Sequence, residues 1–148
     1  MRDVEGSLLS IAAAGEAIGH GCNCEGVMGG LAGHVERHWP ALAADYRAAC
    51  DAGTFTLGGV LPWLDERSGV WIYNLATQQH AGADARLDAI DSSLRAAIEH
   101  ARAHRVPTIY LPRIGAGIGG LDWSDVHATL DTIAAMTADV ELVVVTKS

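Results

Sequence analysis

The sequence predicts an α/β domain built as a three-layer α/β/α sandwich on a mixed, mostly parallel sheet. Three observations carry this expectation. Strand-like runs alternate with helix-like runs along the chain, the pattern that lays helices over both faces of a sheet. The helix-like runs supply the long crossovers that parallel neighbours need. Two glycine-rich segments, residues 23–30 and 112–121, fall between a strand and a helix, where open α/β folds bind ligands.

Residues 1–10 are short and only weakly strand-like, and residues 17–22 read as a small-residue strand. The first glycine-rich turn follows. A helix is expected from Gly29 or Gly30 to His38, with Leu31, Val35 and Trp39 spaced by four. Pro40 stands where a second helix can start, because its missing N–H costs nothing there. Leu42, Tyr46 and Cys50 line one face of that helix. Residues 54–61 read as a strand with a Gly-Gly interruption, and residues 65–69 as a hairpin turn. Residues 70–75 are the clearest strand, rich in β-branched and aromatic side chains. Polar residues 77–80 form a loop. The helix over 84–104 turns Leu87, Ile90, Leu94 and Ile98 to the core. Residues 108–111 are a short buried strand before the second glycine-rich loop. The last helix runs from Asp122 or Ser124 to Met136, with Asp122 as its cap and Asp125 in its first turn. Residues 142–145 make a central strand.

The chain of 148 residues suits one domain, residues 1–148, and 49% hydrophobic content is enough to fill its core. A net charge of -8 excludes a generally positive surface, and with it broad nucleic-acid binding. A small anion is still accessible, held by backbone N–H groups and a helix N-terminus. Cys22, Cys24 and Cys50 read as reduced, inert thiols. Cys22 and Cys24 are separated by one residue, not by the two of a redox or zinc pair. No His/Cys/Asp cluster has ligand spacing, so neither a metal nor another cofactor is expected. Asp3 and Glu5 interrupt the start, and the longest apolar runs are too short to span a bilayer. A cytoplasmic protein without a membrane partner is expected.

The two glycine-rich loops can form opposite walls of one cleft. Gly29, Gly30 and Leu31 on one side, and Gly115, Ala116, Gly117, Ile118 and Gly119 on the other, can offer N–H groups to a diphosphate. Residues 115–120 match the letters G-x-G-x-x-G but lie late in the chain, and no G-x-x-x-x-G-K-[ST] loop is present. Two tight strand–helix turns would leave the same signature. Gly117 is the expected point of closest approach, where a side chain would fill the gap or forbid the needed φ.

At this point the sequence resembles the macrodomain family over nearly its whole length. The resemblance rests on Asn23-x-x-Gly26-x-Met28-Gly29-Gly30-x-Ala32, on Trp39-Pro40, on residues 72–78 and on residues 112–123. Within the family it is most similar to the branch of terminal ADP-ribose glycohydrolases and ADP-ribose 1″-phosphate phosphatases. The resemblance implies an ADP-ribose site. Ser7 and Leu8 would lie near adenine, with Ser7 where relatives carry an acid. Asn23, Gly26, Met28, Gly29, Gly30, Leu31 and Ala32 would surround the distal ribose, with Thr77 close by. Arg113, Ile114, Gly115, Ala116, Gly117, Ile118, Gly119, Gly120 and Leu121 would hold the diphosphate, with Leu121 or Trp123 as a supporting edge. Asn23 is expected to serve the ribose hydroxyls more than the fold, since an amide both donates and accepts.

The resemblance also implies hydrolysis of an ADP-ribosyl group on protein or nucleic acid, or of ADP-ribose 1″-phosphate. A non-catalytic ADP-ribose reader is the alternative, and an unrelated small-nucleotide module a further one. One branch attacks the ribose with a Lys after the fourth strand. Residues 77–80 hold no Lys, and Gly119 stands where some relatives have an Asp, so no Lys-linked intermediate is expected. The candidates for catalysis are Asn23, His80 and Asp122, with His20 a further acid–base group. Each has a plain reading beside it: a surface histidine at His80, a helix cap at Asp122, a structural hydrogen bond at His20.

Overall fold

The computed structural model describes residues 1–147. Six strands form one sheet in the order β1-β6-β5-β2-β4-β3. They are β1 (Arg2–Gly6), β2 (Ala17–Cys22), β3 (Val60–Asp65), β4 (Val70–Ala76), β5 (Thr108–Leu111) and β6 (Glu141–Lys147). The helices are α1 (Leu8–Ala13), α2 (Leu31–His38), α3 (Pro40–Asp51), α4 (Leu87–Ala103) and α5 (Trp123–Ala135). Every neighbouring pair is parallel except the β3–β4 hairpin. The expected mixed, mostly parallel sheet is therefore present.

Alternation along the strands sorts side chains into two cores. Tyr73, Leu75, Ile109, Leu111, Leu142 and Val144 meet α4 and α5 through Ile90, Leu94, Ile98, Val126, Leu130 and Ile133. Ile18, Ile72 and Val145 point the other way, onto Leu8, Val35 and Leu42 of α1, α2 and α3. A satellite of Cys22, Tyr46, Phe55 and Ala76 closes the end beneath the first glycine-rich loop. Gly19 lets β2 sit between these layers, because a Cβ there would fall 2.8 Å from the Leu111 side chain.

Two elements depart from the sequence expectation. Residues 8–10, expected to end a weakly strand-like stretch, instead begin a helix that runs to Ala13. Ser7 caps this short helix, its Oγ accepting from the Ser10 N–H, and Leu8 and Ala12 are buried one turn apart. The strand expected over 54–61 begins only at Val60. Before it the chain makes tight turns, with Gly58 at φ +84 and the Gly59 N–H bonded to Thr56 O. Pro62 inside β3 is tolerated because β3 is an edge strand.

Candidate functional site

A cleft of about 360 Å³ opens outside the carboxyl ends of β2, β4 and β5. Its floor is the end of β2. One wall is the loop after β2 with the start of α2, and the facing wall is the loop after β5. The 77–82 loop closes a third side. The two glycine-rich loops meet at the mouth, where a Cβ on Gly30 would lie 3.1 Å from Ile118 Cδ1.

Both loops bring residues with unpartnered N–H groups into the lining of the cleft. Gly30 is the N-cap of α2 and brings no side-chain cap, so among the described residues the N–H groups of Leu31 and Ala32 have no protein partner, while that of Gly33 bonds to Gly29 O. In the second loop the N–H groups of Ala116, Gly120 and Leu121 bond to Arg113 O, Gly117 O and Gly115 O. Among the described residues those of Gly115, Gly117, Ile118 and Gly119 have no such partner. Ala116 is thus a turn residue rather than a donor to the cleft.

The loop glycines differ in what they do. Gly115 has φ +74, and a Cβ there would meet Ile90 at 2.8 Å. A Cβ on Gly119 would sit 2.7 Å from Gly115 O. Both are required by the fold. Gly117 has no positive φ and only open space around its Cβ position. The expectation that a side chain at Gly117 would be forbidden by φ is therefore corrected; only the filling of space applies.

Asn23 is placed at the cleft but is heavily committed to its own loop. Its Oδ1 accepts from the N–H groups of Glu25 (3.0 Å) and Val27 (3.2 Å) and from Tyr46 Oη (3.0 Å). Its Nδ2 donates to Val27 O at 2.8 Å. Tyr46, fully buried, shares its one hydroxyl hydrogen between Asn23 Oδ1 and the closer Asn23 O at 2.7 Å. The expectation is that Asn23 serves the ribose hydroxyls more than the fold; these bonds give it a structural role as well and leave one amide hydrogen for a ligand.

Thr77 lines the cleft at 1% exposure. Gly21 leaves room for it, since a Cβ there would be 2.8 Å from Thr77 Oγ1. Arg113 lines the opposite edge, its guanidinium 5.2 Å over the Trp123 ring and its Nε donating to Thr146 Oγ1. Gly29, Leu31, Ala32, Ile114 and Ile118 complete the part of the lining that the sequence indicates.

Other sequence candidates stand elsewhere. Asp122 caps α5, its Oδ1 accepting from the N–H and Oγ of Ser124, and these bonds hold its carboxyl below the usual range. Ser7 caps α1 and Leu8 is in the core, so neither lines the cleft. Gly26, Met28, Gly120 and Leu121 support the loops from behind. Gly26 O accepts from Arg47 Nε, and Leu121 and Met28 pack on the cores. His80 is not part of the lining, although Gln78, Ala81 and Gly82 on either side of it are. Sequence reading missed Gly21, Cys22, Val27, Gln78, Ala81, Gly82 and Pro112. Ala81-Gly82 beside a polar loop was the available signal for the third wall.

His20 is 1% exposed, with Nε2 2.7 Å from Asn74 Oδ1. Asn74 Nδ2 donates to Leu61 O. That fixes Oδ1 as the acceptor, so His20 Nε2 carries the hydrogen. Burial lowers the His20 pKa, with the Asn74 bond opposing it weakly. Burial also raises the thiol of Cys22, far above its ordinary value, and those of Cys24 and Cys50. A stability prediction follows for His20. Its folded pKa lies below its unfolded one, so the stabilisation is present above about pH 6.5 and is lost as pH falls through the folded pKa. Urea denaturation at pH 7.5 and pH 5.5 should show this loss, at most about 1.4 kcal/mol per pH unit for one proton. His20→Gln should flatten it; an unchanged slope would exclude His20 as its source.

The chain is similar to known proteins over most of its length. The Macro domain family model matches residues 20–130. A DNA ADP-ribosyl glycohydrolase from Mycobacterium tuberculosis is 33% identical over 87% of this chain and 38% of its own length. One from Thermus aquaticus is 31% identical over 96% of this chain and 40% of its own length. The chain thus spans less than half the length of both. The macrodomain of Mycobacterium tuberculosis DarG superposes with a TM-score of 0.85 at 32% identity, covering 97% of this chain and 96% of that one.

Proposed function

The chain belongs to the Macro domain family, and from that premise we propose that its cleft binds ADP-ribose and hydrolyses the bond between ADP-ribose and a conjugated group. One observation carries the binding reading. Two sets of unpartnered N–H groups, those of Leu31 and Ala32 and those of Gly115, Gly117, Ile118 and Gly119, belong to residues that line one cleft in a chain of net charge -8. Such donors hold a diphosphate without a lysine cluster. The hydrolytic reading is supported by the glycohydrolase names of the relatives. The substrate we propose is ADP-ribosylated nucleic acid or protein, or ADP-ribose 1″-phosphate. The reading extends to a cytoplasmic location, supported by three free cysteines. Among the described residues no helix is long and apolar enough to cross a membrane.

Release of ADP-ribose from ADP-ribosylated DNA and protein, and of phosphate from ADP-ribose 1″-phosphate, tests the proposal. Tight ADP-ribose binding with no turnover on any of the three would favour a reader. That second reading has its own observation: among the described residues the lining holds neither a Lys nor a carboxylate. Binding is expected to survive chelation, because the proposed contacts to the diphosphate are backbone donors. Calorimetry in excess chelator checks this; binding lost and then restored by a divalent metal would defeat it.

A further inference from the structure

We propose that Glu25 and His80 act as a pair at the rim, with His80 giving a proton to the departing group and Glu25 positioning its ring. The inference rests on the hydrolytic reading above. When ADP-ribose fills the cleft, the group leaving from ribose C1″ lies outside it. A residue that protonates that group must therefore stand at the rim rather than in the lining. The titratable groups of the lining do not suit the task. His20 is buried and bonded to Asn74, and the Cys22 thiol is buried beneath the loop. Arg113 is always charged.

The corner between the first loop and the 77–82 loop is built with unusual attention to His80. Glu25 Oε1 is 3.5 Å from His80 Nδ1 and accepts from the Ala81 N–H at 2.9 Å. The Cys24 N–H bonds to Gln79 O at 3.1 Å, tying the same two loops. Gln78 Nε2 donates to His80 O and Gly82 O. Asp84 Oδ2 accepts from the N–H groups of Gln79 and His80. The backbone of His80 is thus fixed by its neighbours, while its side chain remains 65% exposed. Asn23, Gln78, Ala81 and Gly82, all next to this corner, line the cleft.

The step balances without a co-reactant. Glu25 holds Nδ1–H of the protonated ring. Nε2–H passes to the leaving atom as its bond to C1″ breaks, and the bonding electron pair stays on that atom. Water adds to C1″ and returns a proton to Nε2. The products are ADP-ribose and the protonated leaving group.

The test compares two substrates: an ADP-ribosylated oligonucleotide, and an aryl conjugate whose nitrophenolate departs without a proton. For His80→Gln, kcat should fall about 100-fold on the oligonucleotide, and less than about threefold on the aryl conjugate. KM and the Kd for ADP-ribose should stay within about twofold. Glu25→Gln keeps an oxygen for the Ala81 N–H and removes only the charge. It should lower kcat about tenfold on the oligonucleotide alone, and add nothing further in the double variant. Equal losses on both substrates, a changed Kd, or undiminished turnover in His80→Gln would each overturn the pair while leaving the hydrolytic reading standing. ADP-ribose binding by the unaltered protein without release from any conjugate would overturn both.

Discussion

Asn23→Ala is expected to lower both stability and ADP-ribose affinity, with the stability loss the larger effect. The side chain organises the entry into α2 through the four bonds described above. Removing it strips the acceptor from the N–H groups of Glu25 and Val27 and the donor from Val27 O. Tyr46 Oη keeps its bond to Asn23 O at 2.7 Å. A buried polar group left unpaired costs about 1–3 kcal/mol, and water reaching this part-buried loop recovers some of that. A net loss of about 2–3 kcal/mol is expected, or roughly 4–12 °C in Tm for a domain of this size. The loosened loop no longer presents the start of α2, so affinity falls too. Thermal melting and calorimetry on one preparation check both. An unchanged Tm with lost binding would return Asn23 to a purely ligand-facing role.

How much of this was legible depends on whether a residue's partners are local. The two glycine-rich loops were readable because a strand-to-helix junction rich in glycine has few alternatives. The parallel sheet followed from the crossovers. The helix α1 was not readable, since six residues carry little periodicity and only Leu8 and Ala12 are buried. Residues 54–59 look strand-like, but their hydrogen bonds are turns and contacts to the end of β4. The roles of Asn23, Gln78 and Glu25 were hidden for a different reason. Each is decided by contacts to a second segment or to its own loop, such as Tyr46 Oη or the Ala81 N–H. Asp122 and Ser7 show the converse. Both cap helices, Asp122 as local propensity suggests, and the resemblance alone assigned them to ligand or chemistry.

Gly117→Val separates binding from folding, with the largest expected effect on affinity. Of the glycines in the second loop, Gly115 and Gly120 hold positive φ, and Gly119 has no room for a Cβ. Substitution at these would disturb the fold and say little about the ligand. Gly117 has no positive φ, and nothing lies within 4 Å of its Cβ position, so the protein itself tolerates a side chain there. Yet Gly117 lines the cleft, and its N–H is one of the unpartnered donors. Phosphate oxygens reach such donors only at about 2.7–3.2 Å, a distance that a branched side chain beside the N–H prevents. Arg113 is the only cationic side chain among the described lining residues and is held over Trp123, so it replaces little of the lost contact. Stability is expected to change by no more than about 0.5 kcal/mol, as for an exposed substitution. ADP-ribose affinity is expected to fall at least tenfold, about 1.4 kcal/mol. Thermal melting confirms the fold, and calorimetry reads the affinity. A folded Gly117→Val protein that binds ADP-ribose like the parent would remove the diphosphate from this loop.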